Sequence, residues 1–537
     1  MSDCSRRSRS WIRRFSRIAA RRGWAVVTVG ALSFAVSVSL SLFRPPLPHI
    51  HDEFSYLLAA DTFARGRLSQ PTHPCWEHFE SFHVLHTPRY ASKYPPAQGL
   101  FLAFGQRLTG RPIVGVWLGL ALGSAAVCWM LQGWTRPRWA LLGGLITALH
   151  LHGGISSGDP ANALYSWSQS YWGGGPAMIG GALFFGALAR LVRRPDVGTS
   201  LGLGGGLALL ANSRPFEGLL VVLPALFAPA VLWLRSREFS ARTLIPRVVL
   251  PVALVVIACA VWMGVYNRAV TGSALRMPYS VYEAAYNPSP IFTAWQRPTP
   301  PPVYRHEVLR KFFTGWVLDQ WRHQLTFGGW WRYHRERWLD WMWPFFIGPL
   351  VVPFVAIPVV LRRRGNAFAA AECLLVVAAH TTTVGIIPHY AAPVVGCFML
   401  LIVESLRQLA VLRVGSLRVG RALVGLTLVM VVIKLGMIAH ARASAPPGLE
   451  TDRTRVEAAL ASEGERHLVV VRYGPDHDVL DEWVYNRADI DGASVVWARE
   501  MDPARMRRLL SYFHDRRIWL IEADKHPTRL SAYPAPL

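Results

Sequence analysis

Long apolar runs recur along the chain as far as residue 440, separated by short polar stretches whose charge is mostly arginine. Runs of about 18 or more apolar residues read as transmembrane helices. The pattern places them near 24–43, 112–132, 138–152, 173–192, 197–212, 216–234, 247–267, 343–361, 367–387, 390–409 and 420–439. That makes about eleven spans. A further segment, PAQGLFLAFGQRL (96–108), is shorter and amphipathic. If it crossed, the Arg136/Arg138 cluster would lie outside and the later clusters would disagree with it. Laid flat on the outer surface, it leaves every strong cluster inside, as the positive-inside rule requires. Those clusters are Arg136/Arg138, Arg193/Arg194, Arg235/Arg237/Arg242/Arg247, Arg362 to Arg364, and Arg407/Arg413/Arg418/Arg421.

The expected domains follow. Residues 1–23 form a basic cytoplasmic N-terminus, 24–440 a transmembrane domain, and 441–537 an external tail. External loops are expected at 44–111, 153–172 and 268–342. The tail alternates in character: EAALASEGERHLVVVRYG reads as a helix then a buried strand, SVVWARE as a strand, PARMRRLLSYF as an amphipathic helix and RRIWLIEAD as a strand. Such alternation predicts a small α/β domain. The expected fold class is mainly α: a polytopic membrane protein with a small C-terminal α/β domain on the external side.

Composition agrees. Of 537 residues, 52% are hydrophobic and only 17% charged, against about 25% charged in ordinary soluble domains. The net charge of +24 sits in clusters between apolar runs, which argues against a phosphate-tracking nucleic-acid groove. The six cysteines are scattered, so neither a disulfide framework nor a metal-type spacing is expected. The basic N-terminus precedes an apolar run that ends in RPPLPH without a small-x-small cleavage site, and reads as an uncleaved signal anchor.

Candidate chemistry concentrates where the chain leaves lipid. HDEFSYLLAA starts a helical pattern at His51. Asp52 is suited to cap that helix and Glu53 to complement its dipole. Asp52 is equally suited to take a proton from an acceptor hydroxyl. In RYASKYPPAQG, Arg89 and Lys93 are cations close to the bilayer, and Pro95-Pro96 fixes a helix start. Lys93 is either a snorkelling interface lysine or a point charge for a lipid phosphate.

A signal anchor, an external acidic pair opening a helix, and a basic residue before Tyr-Pro-Pro together resemble the membrane-embedded glycosyltransferases of the GT-C superfold. The closest resemblance is to the protein O-mannosyltransferase, aminoarabinose transferase and rhizobial galacturonosyltransferase group, over roughly residues 24–410. The resemblance implies an enzyme that moves a sugar from a polyprenyl-phosphate donor to a hydroxyl on a glycan, lipid or protein acceptor. It implies Asp52 as base, with Glu53 beside it, and Lys93 on the donor phosphate; Arg89, the other cation of the segment, is a further candidate for that phosphate. A later Arg-Tyr…Pro element of the family reads PHYAAP here, with His389 in place of the arginine.

Other positions carry weaker signals. Asp159 in SGDPANA is the acidic residue of the second loop, a catalytic candidate or an ordinary turn former. Tyr171 and Trp172 in SQSYWGGG suit sugar stacking or an interfacial belt, and Tyr94 joins them as a sugar or acceptor contact. Arg214 in SRPFE is either paired with Glu217 or a second phosphate ligand. The third loop offers Tyr279, Tyr304, Arg305 and His306 among its polar and aromatic groups. His49-x-His51 is too sparse to call for a metal, so no cofactor is expected. Membrane lipids are expected partners, nucleic acid is not, and the expected location is the plasma (inner) membrane. The rival classes are a multi-pass transporter, which would carry ionisable groups at mid-bilayer, and a scaffold that binds through its tail.

Overall fold

The computed structural model describes residues 13–153, 166–236, 240–293, 296–444, 452–525 and 527–534. It is a mainly-α, multi-span membrane protein with a β-sheet region towards its C-terminus. Among the described residues, five helices are long and apolar enough to cross a membrane: Arg22–Leu42, Ile113–Trp134, Ala241–Thr271, Pro388–Leu409 and Val419–Ser444. The helices Gly175–Leu191 and Val197–Ala211 are shorter, at 17 and 15 residues. Each expected span coincides with helical structure, but one is not a straight rod. Residues 343–361 were expected as a single helix; the pair Phe327–Leu350 and Val352–Val360 is instead bent by 73°. The cause is local. Pro344, Pro349 and Pro353 each lack an amide donor, and Gly348 takes a φ of 24° between them.

The chain divides into two compact units. The first joins 1–45, 113–262 and 331–444. Its core is continuous through Val127, Met130, Phe184, Phe185, Phe345 and Leu400. Small residues let its backbones approach: a Cβ on Gly181 would lie 1.9 Å from the Pro393 carbonyl oxygen. Two buried charged groups inside this unit have hydrogen-bond partners. The Lys434 ammonium donates to the carbonyls of Phe345 (2.9 Å) and His150 (3.2 Å), and Glu404 accepts from Thr135 and Arg407.

The second unit joins 46–112, 263–330 and 445–537. The stretch expected as a loop at 268–342 is largely helical there, with Pro278–Tyr286, Glu307–Arg310 and Leu318–His323 among its elements. Apolar residues spaced along it, such as Tyr282, Leu309, Phe312 and Phe313, bury one face against Phe82, Leu85 and Tyr266, which is what makes helix the stable form. Three short strands, β1 (Gln70–Pro71), β2 (Val84–Leu85) and β3 (Arg89–Ser92), pair antiparallel in the order β1-β3-β2.

The tail forms a four-stranded sheet of β4 (His467–Arg472), β5 (Val495–Arg499), β6 (Arg517–Glu522) and β7 (Leu530–Ala532), in the order β5-β4-β6-β7. β4 pairs parallel with both neighbours and β7 antiparallel with β6. Both faces are covered. Leu468 and Val470 point to one core with Met506 and Leu509, and Val469 and Val471 to another with Leu460 and Trp483. A strand buried on both sides reads as an unbroken apolar run, hence HLVVVR. The first of these cores also takes in Leu58, Phe79, Val84 and Tyr90. The tail therefore shares its core with the segment that carries the acidic pair.

Candidate active site

The helix His51–Ala64 follows an extended Ile50. Its start is held by Glu53, not by Asp52 as the sequence suggested. From the third helical position the buried Glu53 carboxylate accepts from the amides of His49 (2.8 Å) and Ile50 (3.3 Å). That satisfies backbone donors an isolated helix leaves open. Asp52, one residue earlier, is left to make side-chain contacts elsewhere. The Tyr94 hydroxyl donates to its Oδ1, and His83 Nε2 lies 3.8 Å from its Oδ2. The Asp52 side chain remains 20% exposed, in the first turn, where the helix dipole favours negative charge.

A hydrogen-bonded clamp fixes this geometry. Ser55 Oγ donates to the His83 carbonyl at 2.6 Å and lies 2.7 Å from Ser92 Oγ. Ser92 Oγ in turn accepts from the Tyr94 amide at 3.1 Å. The helix carrying Asp52 is thus tied to the strand pair that delivers His83 and Tyr94. A close crossing with the helix Pro96–Thr109 completes the frame: a Cβ on Gly99 would meet Ala59 Cβ at 2.7 Å.

Burial, and then the Asp52 charge, push the Tyr94 phenol well above its usual range, so it stays a hydrogen-bond donor. Its ring stacks on Tyr56 with centroids 4.5 Å apart. Tyr94, expected from sequence as a sugar or acceptor contact, is therefore placed by its hydroxyl on the carboxylate. Burial also lowers His51, to about 3, with the Arg499 charge adding to it. The His51 ring stacks on Phe82 at 4.0 Å.

Lys93 is buried and engaged. Its ammonium is 2.7 Å from Glu283 Oε1 and faces the rings of Tyr282 (4.8 Å), Tyr279 (4.9 Å) and Tyr94 (5.3 Å). Asn287 donates to the other Glu283 oxygen at 2.6 Å. Arg89 lies at the opposite end of β3, exposed, and donates to Ser69 Oγ at 3.2 Å. The tail reaches the same helix: Tyr485 stacks on Phe54 (4.2 Å, 3°), and the Ala488 amide donates to Asp61 at 2.9 Å.

In the first unit, three of the sequence candidates come together around Tyr390. The Arg214 guanidinium sits over its ring at 4.2 Å, and His389 meets it edge-on at 5.1 Å. Trp172 meets the His389 ring at 4.5 Å. Tyr171 is buried in the same unit. Glu217 is 3.7 Å from His380, a residue that sequence reading had not singled out. Asp159 lies outside the described residues.

Glu283, His83 and Tyr485 were also missed. Each acts through a partner far along the chain, and no local pattern marks such a pairing. A possible cation cluster of Glu463, Glu465 and His467 brings one atom from each within 4.8 Å of the others. Trp519 Nε1 donates to His467 Nδ1 at 3.1 Å, which puts the ring proton on Nε2. Arg517 lies 3.8 Å from both carboxylates. Ion pairing accounts for the cluster.

No family model matches the chain, and no curated protein matches it. Among solved structures, the chain is similar to ArnT from Cupriavidus metallidurans in the apo state, at 14% identity and a TM-score of 0.49, over 94% of this chain and 93% of that one. It is also similar to the apo oligosaccharyltransferase of Archaeoglobus fulgidus, at 10% identity and a TM-score of 0.41, and spans 62% of that chain with 83% of its own. A third is the oligosaccharyltransferase AglB of the same organism in complex with an inhibitory peptide and a dolichol-phosphate, at 11% identity and a TM-score of 0.37, over 93% of this chain and 69% of that one.

Proposed function

We propose that the chain is a GT-C-type membrane glycosyltransferase that moves a sugar from a polyprenyl-phosphate donor to an acceptor hydroxyl at the external membrane face. The observation that carries this reading is Asp52: a part-exposed carboxylate in a first helical turn, held by Tyr94, with Lys93 next in the chain. Asp52 accepts the proton of the acceptor hydroxyl as its oxygen attacks the anomeric carbon. The bond from that carbon to the donor phosphate oxygen breaks, and the phosphate leaves with the bonding pair. A single displacement of this kind inverts the anomeric centre. Polyprenyl phosphate is a stable anion, so no general acid is needed.

Glu53 serves the helix start and so supports Asp52 without sharing its chemistry. Lys93 holds the donor phosphate by exchanging its Glu283 partner for it. Arg89 lies farther out along the same strand, where it meets the phosphate's surroundings. In the first unit, Arg214 and His389 suit a phosphate, while Tyr171 and Trp172 suit a pyranose face. No metal is required. About eleven spans put the basic N-terminus in the cytoplasm and the α/β tail outside the plasma membrane.

The test uses purified protein in nanodiscs with a panel of polyprenyl-phosphate hexoses and pentoses, read by mass spectrometry. One donor class should be consumed, and its product should carry the inverted anomeric configuration by NMR. Retention of configuration, or no consumption of any donor, would contradict the proposal.

A further inference from the structure

His83 is the one non-glycine residue with a positive φ among the described residues, at 61°. A left-handed backbone is costly for a side-chain-bearing residue, and such outliers persist where the surroundings over-determine them. Here they do. The His83 amide donates to the Tyr282 hydroxyl at 2.7 Å, and its carbonyl accepts from Ser55 Oγ (2.6 Å) and from the Lys93 amide (3.1 Å). The ring is enclosed by the rings of His51, Tyr94, Tyr282 and Phe312, at centroid distances of 5.8 to 6.1 Å. Every one of these restraints serves to aim a buried imidazole, and its Nε2 ends 3.8 Å from Asp52 Oδ2. Its Nδ1 is buried with no hydrogen-bond partner. Facing a carboxylate, the Nε2–H tautomer is favoured over one that turns a lone pair to it.

We propose that His83 is a positioning residue for Asp52, directing Nε2–H at Oδ2 while Tyr94 holds Oδ1, so that one donor on each oxygen fixes the carboxylate for attack on the acceptor proton. At 3.8 Å the contact is longer than a hydrogen bond, and catalytic contacts of this length tighten in enzymes when substrate binds. Burial pushes His83 well below the usual histidine range, with the Lys93 charge adding to it, so the ring stays neutral. The titratable groups around the pair are His51 and Tyr56 on the same helix as Asp52, Lys93 and Tyr94 after β3, Tyr279, Tyr282 and Glu283 on the helix Pro278–Tyr286, and Tyr485 from the tail.

The inference rests on the proposed role of Asp52, and two variants test it. Asparagine tolerates positive φ but does not extend to the Nε2 position; glutamine places an amide N–H there. With the polyprenyl-phosphate sugar that the wild type consumes, His83→Asn should lower kcat about tenfold to a hundredfold, with KM for the donor little changed. Loss of a donor makes a carboxylate more basic, so the acid limb of the kcat profile should move to higher pH. His83→Gln should restore most of the rate and return the limb. An unchanged limb in His83→Asn, or a loss of rate no larger than its loss of folded protein, overturns the positioning role. If Asp52→Asn consumes donor as fast as wild type, or wild type consumes none, the reading of the site fails and takes this inference with it. If Asp52→Asn is dead and His83→Asn is normal, only this inference fails.

Discussion

Lys93 poses the sharpest question about a single side chain, because it already has an anionic partner in Glu283 at 2.7 Å. Removing one member of a buried ion pair costs about 3–5 kcal/mol, so Lys93→Met should lower the melting temperature whatever its role. Glu283→Gln separates the roles. It too should destabilise, but it releases the ammonium, so the KM for a polyprenyl-phosphate donor should fall if Lys93 takes the phosphate. An unchanged or higher KM would leave Lys93 as a structural cation. The buried histidines give a second outcome. His51, His86 and His306 are each pulled from 6.5 to about 3, by burial first and by Arg499 next. Above pH 6.5 both folded and unfolded forms are neutral and stability does not change. Below it only the unfolded chain takes up protons, so stability should fall steadily from pH 6.5 towards 3. Melting curves across that range should show the loss, and His86→Phe should make it shallower. Asp52, Lys93 and Tyr94 were legible in the sequence because each sits at a helix start or strand end with an adjacent signal. His83 and Glu283 were not, since their meaning comes from Asp52 and Lys93, which lie far from them in the chain.

The helix His51–Ala64 holds its place by two kinds of contact. One is the crossing at Gly99, where added side-chain bulk would strike Ala59 and Phe63. Gly99→Leu should separate the helices His51–Ala64 and Pro96–Thr109, lower stability by about 1–3 kcal/mol, and reduce donor consumption beyond what the loss of folded protein explains. Equal activity per folded molecule would show that the crossing does not set the site. The other contact is the tail, through Tyr485 on Phe54 and Ala488 on Asp61. Apolar runs made the long helices and β4 to β6 legible, because lipid-facing and core-facing positions are alike apolar; Ala241–Thr271 stands out although little of it is buried within the protein. The break at Val351, just after Gly348 and Pro349, was hidden inside an apolar run, where hydropathy is blind to missing amide donors. β7 was missed because three residues, Leu530–Ala532, are too few to show a period.

Across the molecule, the segments 46–112, 263–330 and 445–537 are distant in sequence yet form one compact unit. The tail is thus part of the structure that bears Asp52, and a chain ending at Ser444 should expose the apolar surface around Leu58, Phe79 and Tyr90. Limited proteolysis should then cut within 46–112 while the intact protein resists; equal resistance would make the tail an independent appendage. The same organisation explains why each sequence signal is short: the unit is assembled from two insertions between membrane helices and the segment that follows the last of them. What it is for turns on Asp52. The decisive measurement is the rate of polyprenyl-phosphate sugar consumption by wild type and Asp52→Asn in nanodiscs, at matched melting temperature. Loss of a general base should slow the variant by about a hundredfold or more. Consumption at the wild-type rate would contradict the assignment of Asp52 as the base.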